Sequence, residues 1–79
     1  MYYIYVLQSK RTGRLYIGHT DNIQRRLIEH NSGLSGYTKG RGSWELKYQE
    51  EFLTRGEAMK REYFLKSGKG REFIKGKIG

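Results

Sequence analysis

The chain has 79 residues with no cysteine and no proline, and its 16 Lys and Arg outnumber 8 Asp and Glu for a formal net charge of +8. That length allows one domain over residues 1–79 with a modest core, and the lack of cysteine excludes disulfide staples, thiolate metal sites and a cysteine nucleophile. No apolar run approaches the roughly 20 residues needed to cross a bilayer. The segment MYYIYVLQSK is too short and too polar at its end for a signal peptide, so a cytoplasmic protein is expected. The positive field attracts polyanions, whether DNA, RNA or an anionic membrane; a charge that serves only solubility is the plain alternative, and the partner expected for the chain as a whole is nucleic acid, DNA before RNA, with no membrane.

YYIYVL, residues 2–7, is aromatic and β-branched, as strands prefer. Lys10 to Gly13 is a turn signal, and LYIG, residues 15–18, is a second short strand, so the two read as a β-hairpin. Asp21 or Asn22 caps a helix in which Ile23 and Leu27 share a face and Ile28 widens it, and Asn31, Ser32 and Gly33 end it. Residues 33–43 are glycine-rich and read as a loop with room for one helical turn. Residues 45–52, ELKYQEEF, alternate, with Leu46, Tyr48 and Phe52 on one parity and Glu50 breaking the pattern. Thr54 and Glu57 have capping-box spacing, so a long helix starts there and runs to Gly68 as its C-cap. A short last helix uses Phe73, Ile74 and Ile78. The fold class is α/β of the α+β kind: a small three-stranded antiparallel sheet flanked by helices, in the order β-β-α-(α)-β-α-α.

Pairing the hairpin puts Tyr3, Tyr5 and Tyr16 on one face and Ile4, Val6, Leu15 and Ile17 on the other, the expected core. Three tyrosines on a face outside the core is an unusual arrangement, although aromatic pairs across strands also simply stabilise hairpins. Asn22, Arg26 and His30 fall four apart and form a polar stripe along the first helix. Arginine grips phosphate with a planar fork of donors, and histidine donates a hydrogen bond or shuttles a proton near neutral pH; the plain alternative is a solvated helix face. Glu62 offers a hard oxygen for Mg2+, or pairs with Lys66 one turn on.

These blocks together resemble the GIY-YIG nucleases. Tyr3-Ile4-Tyr5 and Tyr16-Ile17-Gly18, ten residues apart, are similar to the family's paired triplets. YIGHTDNIQRRLIEH, residues 16–30, is similar to its second block, and EAMKRE, residues 57–62, to the block that supplies a metal-binding glutamate. The resemblance covers nearly the whole chain and is strongest to the small single-domain members. It implies that Tyr5 and Tyr16 flank the scissile phosphate and that one of them helps activate the attacking water. It also implies that Arg26 stabilises the charged phosphate, that Glu62 holds one Mg2+ or Mn2+ ion, and that His30 assists. A tyrosine has an ordinary pKa near 10, so as a base it needs help from positive charge such as Arg26. Tyr3 stands where the family has glycine.

The implied activity is a metal-dependent DNA endonuclease, weakly specific or structure-dependent, of use in repair or recombination. With no target-selecting domain in these residues, a protein partner or an unusual DNA shape must supply specificity. Further contacts to nucleic acid are expected from Tyr3, Asn22 and Arg25, from Lys39 and Arg41 in the glycine-rich loop, and from Lys66, Lys69 and Arg71 in the basic tail. The alternatives are a nucleic-acid-binding module of the same fold with little or no cleavage, and a basic protein that docks on an acidic partner.

Overall fold

The computed structural model describes residues 1–33 and 43–78. The elements run β1 (Tyr2–Ser9), β2 (Leu15–Thr20), α1 (Ile23–Asn31), β3 (Trp44–Phe52), α2 (Arg55–Leu65) and α3 (Gly68–Ile78). β1 is the central strand, antiparallel to both neighbours, in the order β2-β1-β3. The α+β architecture is therefore the expected one. The additional helical turn expected between residues 33 and 43, like Lys39 and Arg41, falls outside the described residues.

Both faces of β1 are covered, which explains why its sequence is continuously apolar instead of alternating. Ile4, Tyr5, Val6 and Leu7 are all buried. On one face Ile4, Val6 and Ile17 meet Ala58 and Leu65 of α2 and Ile74 of α3. On the other, Tyr5, Leu7 and Trp44 meet Tyr16, Leu46, and Ile23 and Leu27 of α1. The tyrosine face is thus a second core, which corrects the reading of it as a surface outside the core. Each large side chain buried in this way contributes about 1.5–3 kcal/mol.

β3 departs from simple alternation. Its pairing with β1 runs Val6↔Tyr48 and then Leu7↔Leu46, so Lys47 is an extra residue in a β-bulge. The bulge turns Leu46 toward α1, while Tyr48 and Phe52 pack under α2 and α3. Leu46 therefore does not share a face with Tyr48 and Phe52, contrary to the parity of the sequence. Glu50, the residue that broke the pattern, accepts two hydrogen bonds from Arg61 at 2.7 and 3.0 Å and one from the Tyr48 hydroxyl.

Local signals fix the ends of the helices. Asn22 caps α1 by accepting from the Arg25 N–H at 3.0 Å. Thr54 and Glu57 form the capping box of α2 in both directions. Gly68 opens α3 and does not close α2, whose C-cap is Lys66. Ser67 starts α3: its side chain accepts from the Gly70 N–H and its carbonyl from the Arg71 N–H.

Gly70 is where α3 crosses α2. A Cβ there would stand 2.1 Å from the Phe64 carbonyl oxygen and 2.4 Å from the Leu65 Cα, so no side chain fits without separating the helices. Gly76, on the same helix, has open space around it. Urea unfolding is expected to show Gly70→Ala losing about 2–4 kcal/mol, the range for overpacking at a closely packed helix crossing. Gly76→Ala should instead gain roughly 0.5–1 kcal/mol of helix propensity. Equal effects at the two positions would contradict the crossing.

Candidate active site

The β1–β2 register places Tyr5 opposite Gly18 and Leu7 opposite Tyr16, so both tyrosine rings point to the α1 face. Gly18 leaves the room this needs. A Cβ there would lie 2.7 Å from the Tyr5 hydroxyl oxygen and 3.2 Å from a ring carbon of Tyr16. From above, α1 brings in Arg26 and His30, one turn apart. His30 is 1% exposed, and its ring centre lies 4.7 Å from that of Tyr16 and 5.8 Å from that of Tyr5. Trp44 closes the far side, its ring 6.5 Å from Tyr16.

The Tyr5 hydroxyl is the hub of this cluster. It lies 3.0 Å from His30 Nε2, and the Arg26 guanidinium acts on it electrostatically. The Arg26 cation favours turning the phenol oxygen toward it and the O–H toward His30 Nε2. In that direction His30 is neutral, with its proton on Nδ1. Its electrostatics agree: burial, and next the Arg26 charge, push its pKa down to about 4. Arg26 also pairs with Glu29 at 2.5 Å. Burial works against its charge, but its interactions with Tyr5 and Glu29 outweigh that and hold it firmly protonated.

Tyr5 does not behave as the sequence led one to expect. Burial dominates and pushes its pKa up to about 12. Arg26 does lower it, but burial outweighs that help, because the phenol is 2% exposed and an ionised form would lose its hydration.

Glu62 arrives from the other side of the sheet, on α2. One carboxylate oxygen, Oε1, accepts from His19 Nδ1 at 2.5 Å, and the other, Oε2, from Lys66 Nζ at 2.6 Å. Burial disfavours its charge, but these two donors more than offset this and hold its carboxyl below the usual range. Its charge is felt at the Tyr5 hydroxyl. Glu62 is a hard oxygen donor that is ionised and still partly open to solvent, which fits a small divalent cation. Among the described residues no three His, Asp or Glu side chains group to hold a metal, so any ion there would keep waters or substrate oxygens as further ligands.

A groove of about 540 Å³ runs beside Tyr16, lined by Arg14, Leu15 and Ile17 of the hairpin and by Lys66, Arg71 and Lys75. Lys66 and Arg71 are therefore brought together, whereas Lys69 does not line it. Tyr3 and Asn22 line a separate shallow hollow with Asp21, Gln24 and Gln49. Arg25 bonds Asp21 at 2.7 Å and approaches Glu29 at 3.9 Å. Sequence reasoning missed His19 and Arg14. His19 was accessible through its parity, which puts it on the Ile17 face beneath α2. Nothing local marked Arg14, which sits in the turn and joins the groove only through the packing of α3.

A hairpin carrying two tyrosines, a helix carrying arginine and histidine, and a glutamate on a later helix define a nuclease-type centre. In agreement, the family model of the GIY-YIG catalytic domain matches residues 1–75. A UPF0213 protein of Staphylococcus saprophyticus is 46% identical over 67 residues, covering 84% of this chain and 80% of that protein. One from Halobacterium salinarum is 42% identical over 67 residues, covering 84% and 86%. The solution NMR structure of a UPF0213 protein from Bacillus halodurans is 37% identical and superposes with a TM-score of 0.59, over 100% of this chain and 88% of that one. The chain belongs to the GIY-YIG nuclease superfamily and, within it, groups with the small UPF0213 proteins. Among the described residues no helix is long and apolar enough to cross a membrane.

The low pKa of His30 has a consequence for stability. Its folded value, about 4, lies below its ordinary 6.5. The unfolded chain therefore binds the proton more readily, and the contribution is complete above pH 6.5 and lost as pH falls from there toward 4. Thermal unfolding should lose about 3 kcal/mol over that window from this group. In His30→Gln the fall between pH 6.5 and 4 should be visibly shallower than in the parent; parallel curves would mean that His30 is not buried neutral.

Proposed function

We propose that this chain is a divalent-metal-dependent endonuclease that hydrolyses phosphodiester bonds in DNA. The observation that carries the reading is the convergence of Tyr5, Tyr16, Arg26 and His30 around Gly18, with an ionised Glu62 within electrostatic reach.

The two tyrosines take different parts. Tyr5 is buried and its hydroxyl is held by His30 with the Arg26 charge acting on it, so it is a positioning residue for that pair. Tyr16 is half-buried and lines the open groove, so it is the phenol able to touch and orient the attacking water. Arg26, cationic at any working pH, balances the charge that grows on the phosphate oxygens. His30, neutral and beside both tyrosines, holds Tyr5 in place through Nε2. Glu62 is the residue that would hold Mg2+ or Mn2+; when bound, such an ion acidifies its water ligands and neutralises the leaving oxygen.

The groove cations Arg14, Lys66, Arg71 and Lys75 would follow the phosphate backbone toward Tyr16. They read charge and not sequence, in keeping with a weakly specific or structure-dependent enzyme in repair or recombination, with any finer choice left to a partner or to DNA shape.

Purified protein with Mg2+ or Mn2+ on plain duplex, single-strand, flap and branched DNA is the direct test. Cleavage is expected, with loss of at least about 100-fold in Glu62→Ala and in Tyr16→Phe, the scale of removing one electrostatic or general-base contributor. DNA binding should survive in both. Binding without cleavage on every substrate would favour a non-cutting binding module.

Replacing Arg71 and Lys75 by Gln should weaken DNA binding and reduce the slope of log affinity against log salt by about 0.9 for each phosphate no longer neutralised. A slope equal to that of the parent would remove the groove from the interface.

A further inference from the structure

We propose that His19 is a second protein ligand for the ion held by Glu62, and that its imidazole biases the site toward Mn2+ and other transition ions over Mg2+. This rests on Glu62 being the metal-binding residue.

The two oxygens of Glu62 have different neighbours. Lys66 occupies Oε2 from the next turn of the same helix, at 2.6 Å. That interaction fixes the carboxylate and leaves Oε1 as the oxygen for a cation. Oε1 is the oxygen that faces His19, whose Nδ1 lies 2.5 Å away. The pair bridges two elements distant in sequence, β2 and α2, and both side chains keep a window to solvent, 24% and 18% exposed. An ion can therefore reach a donor pair that the fold itself assembles.

The geometry needs a modest adjustment. Two neighbouring ligands of an octahedral ion, each about 2.1 Å from it, stand about 3 Å apart. Nδ1 and Oε1 need to separate by about half an ångström, and the imidazole must turn by roughly 45° so that its lone pair points at the ion and not at Oε1, both movements of partly exposed side chains. The proton between them must leave. A neutral His19 moves it to Nε2 and frees the Nδ1 lone pair, and an imidazolium releases one proton to solvent. The other positions of the ion fall to water or phosphate oxygens.

The donor set decides the preference. A carboxylate alone suits Mg2+ and Mn2+ alike, whereas imidazole nitrogen adds affinity for first-row transition ions, least for Mn2+ among them, and adds little for Mg2+. His19 is the residue after Gly18, so the same glycine that lets Tyr5 over the sheet precedes the residue turned toward α2.

Calorimetry with MnCl2 and MgCl2, without nucleic acid, tests this on the full chain. Mn2+ should bind more tightly than Mg2+. His19→Ala should weaken Mn2+ by about 10–100-fold, the scale known for changes around a metal ligand, and Mg2+ by less than about threefold. His19→Asn is the second variant: its amide N–H keeps a hydrogen bond to Glu62 but has no imidazole lone pair. It should lose the preference as His19→Ala does; a preference retained in His19→Asn would show that His19 only orients Glu62 and would overturn the proposal. Equal weakening of both ions, or of neither, would overturn it too. The chain has only two histidines, so NMR with sub-stoichiometric Mn2+ gives an independent reading. The ring signals of His19 should broaden well before those of His30, and the reverse order would contradict the site. Metal binding through His19 in a protein that cuts no DNA would sink the nuclease reading and leave this one standing.

Discussion

The Tyr5 hydroxyl, held between Arg26 and His30, is the junction on which the rest of the site depends. The Arg26 cation beside the phenol oxygen favours the direction in which the O–H donates to His30. That direction requires an unprotonated Nε2, hence a neutral imidazole, and burial is what keeps the ring neutral. Burial in turn requires α1 to lie on the tyrosine face, seated by Ile23 and Leu27 against Tyr5 and Leu7. The hydroxyl also needs space over the neighbouring strand, and Gly18 is what leaves it. Among the described residues no buried side-chain nitrogen or oxygen lacks a partner. A polar network in a core this small must be fully satisfied to be tolerated, and once satisfied it rigidifies the groups it joins.

The same arrangement divides the labour between the sheet's two faces. One face buries the Tyr5 phenol and the His30 imidazole, with the half-buried Arg26 guanidinium beside them. The other carries Glu62 with His19 and Lys66. β2 is an edge strand, so the two sets of groups approach each other around an edge and not through a layer of core. The groove beside Tyr16 opens along this edge, and its cations come from both the hairpin turn and the last helix. A polyanion guided into it would arrive next to the half-buried tyrosine and not the sealed one.

Much of this was legible in the sequence, because local signals and global fold agree. The hairpin parity of Tyr5 and Tyr16, the spacing of Asn22, Arg26 and His30, and the Thr54–Glu57 capping box each follow from short-range geometry. What was not legible depended on long-range packing. The bulge at Lys47, which sends Leu46 and Tyr48 to opposite faces, leaves no mark in an alternating run. Gly68 read as a helix end because glycine often follows one, but Ser67 makes it a beginning. The raised pKa of Tyr5 arises from a second core that could not be inferred from a chain with an exposed face in mind. The partnership of His19 with Glu62, 43 residues apart, needed the placement of α2.

The protonation state of His30 tests the hub most directly. Nitrogen-15 NMR of the two imidazole rings at pH 7 distinguishes a protonated from an unprotonated nitrogen at each position. A neutral His30 with its proton on Nδ1 and a bare Nε2, persisting well below pH 6, is the expected result. An imidazolium at pH 7, or a proton on Nε2, would reverse the Tyr5 hydrogen bond and contradict the arrangement of the site.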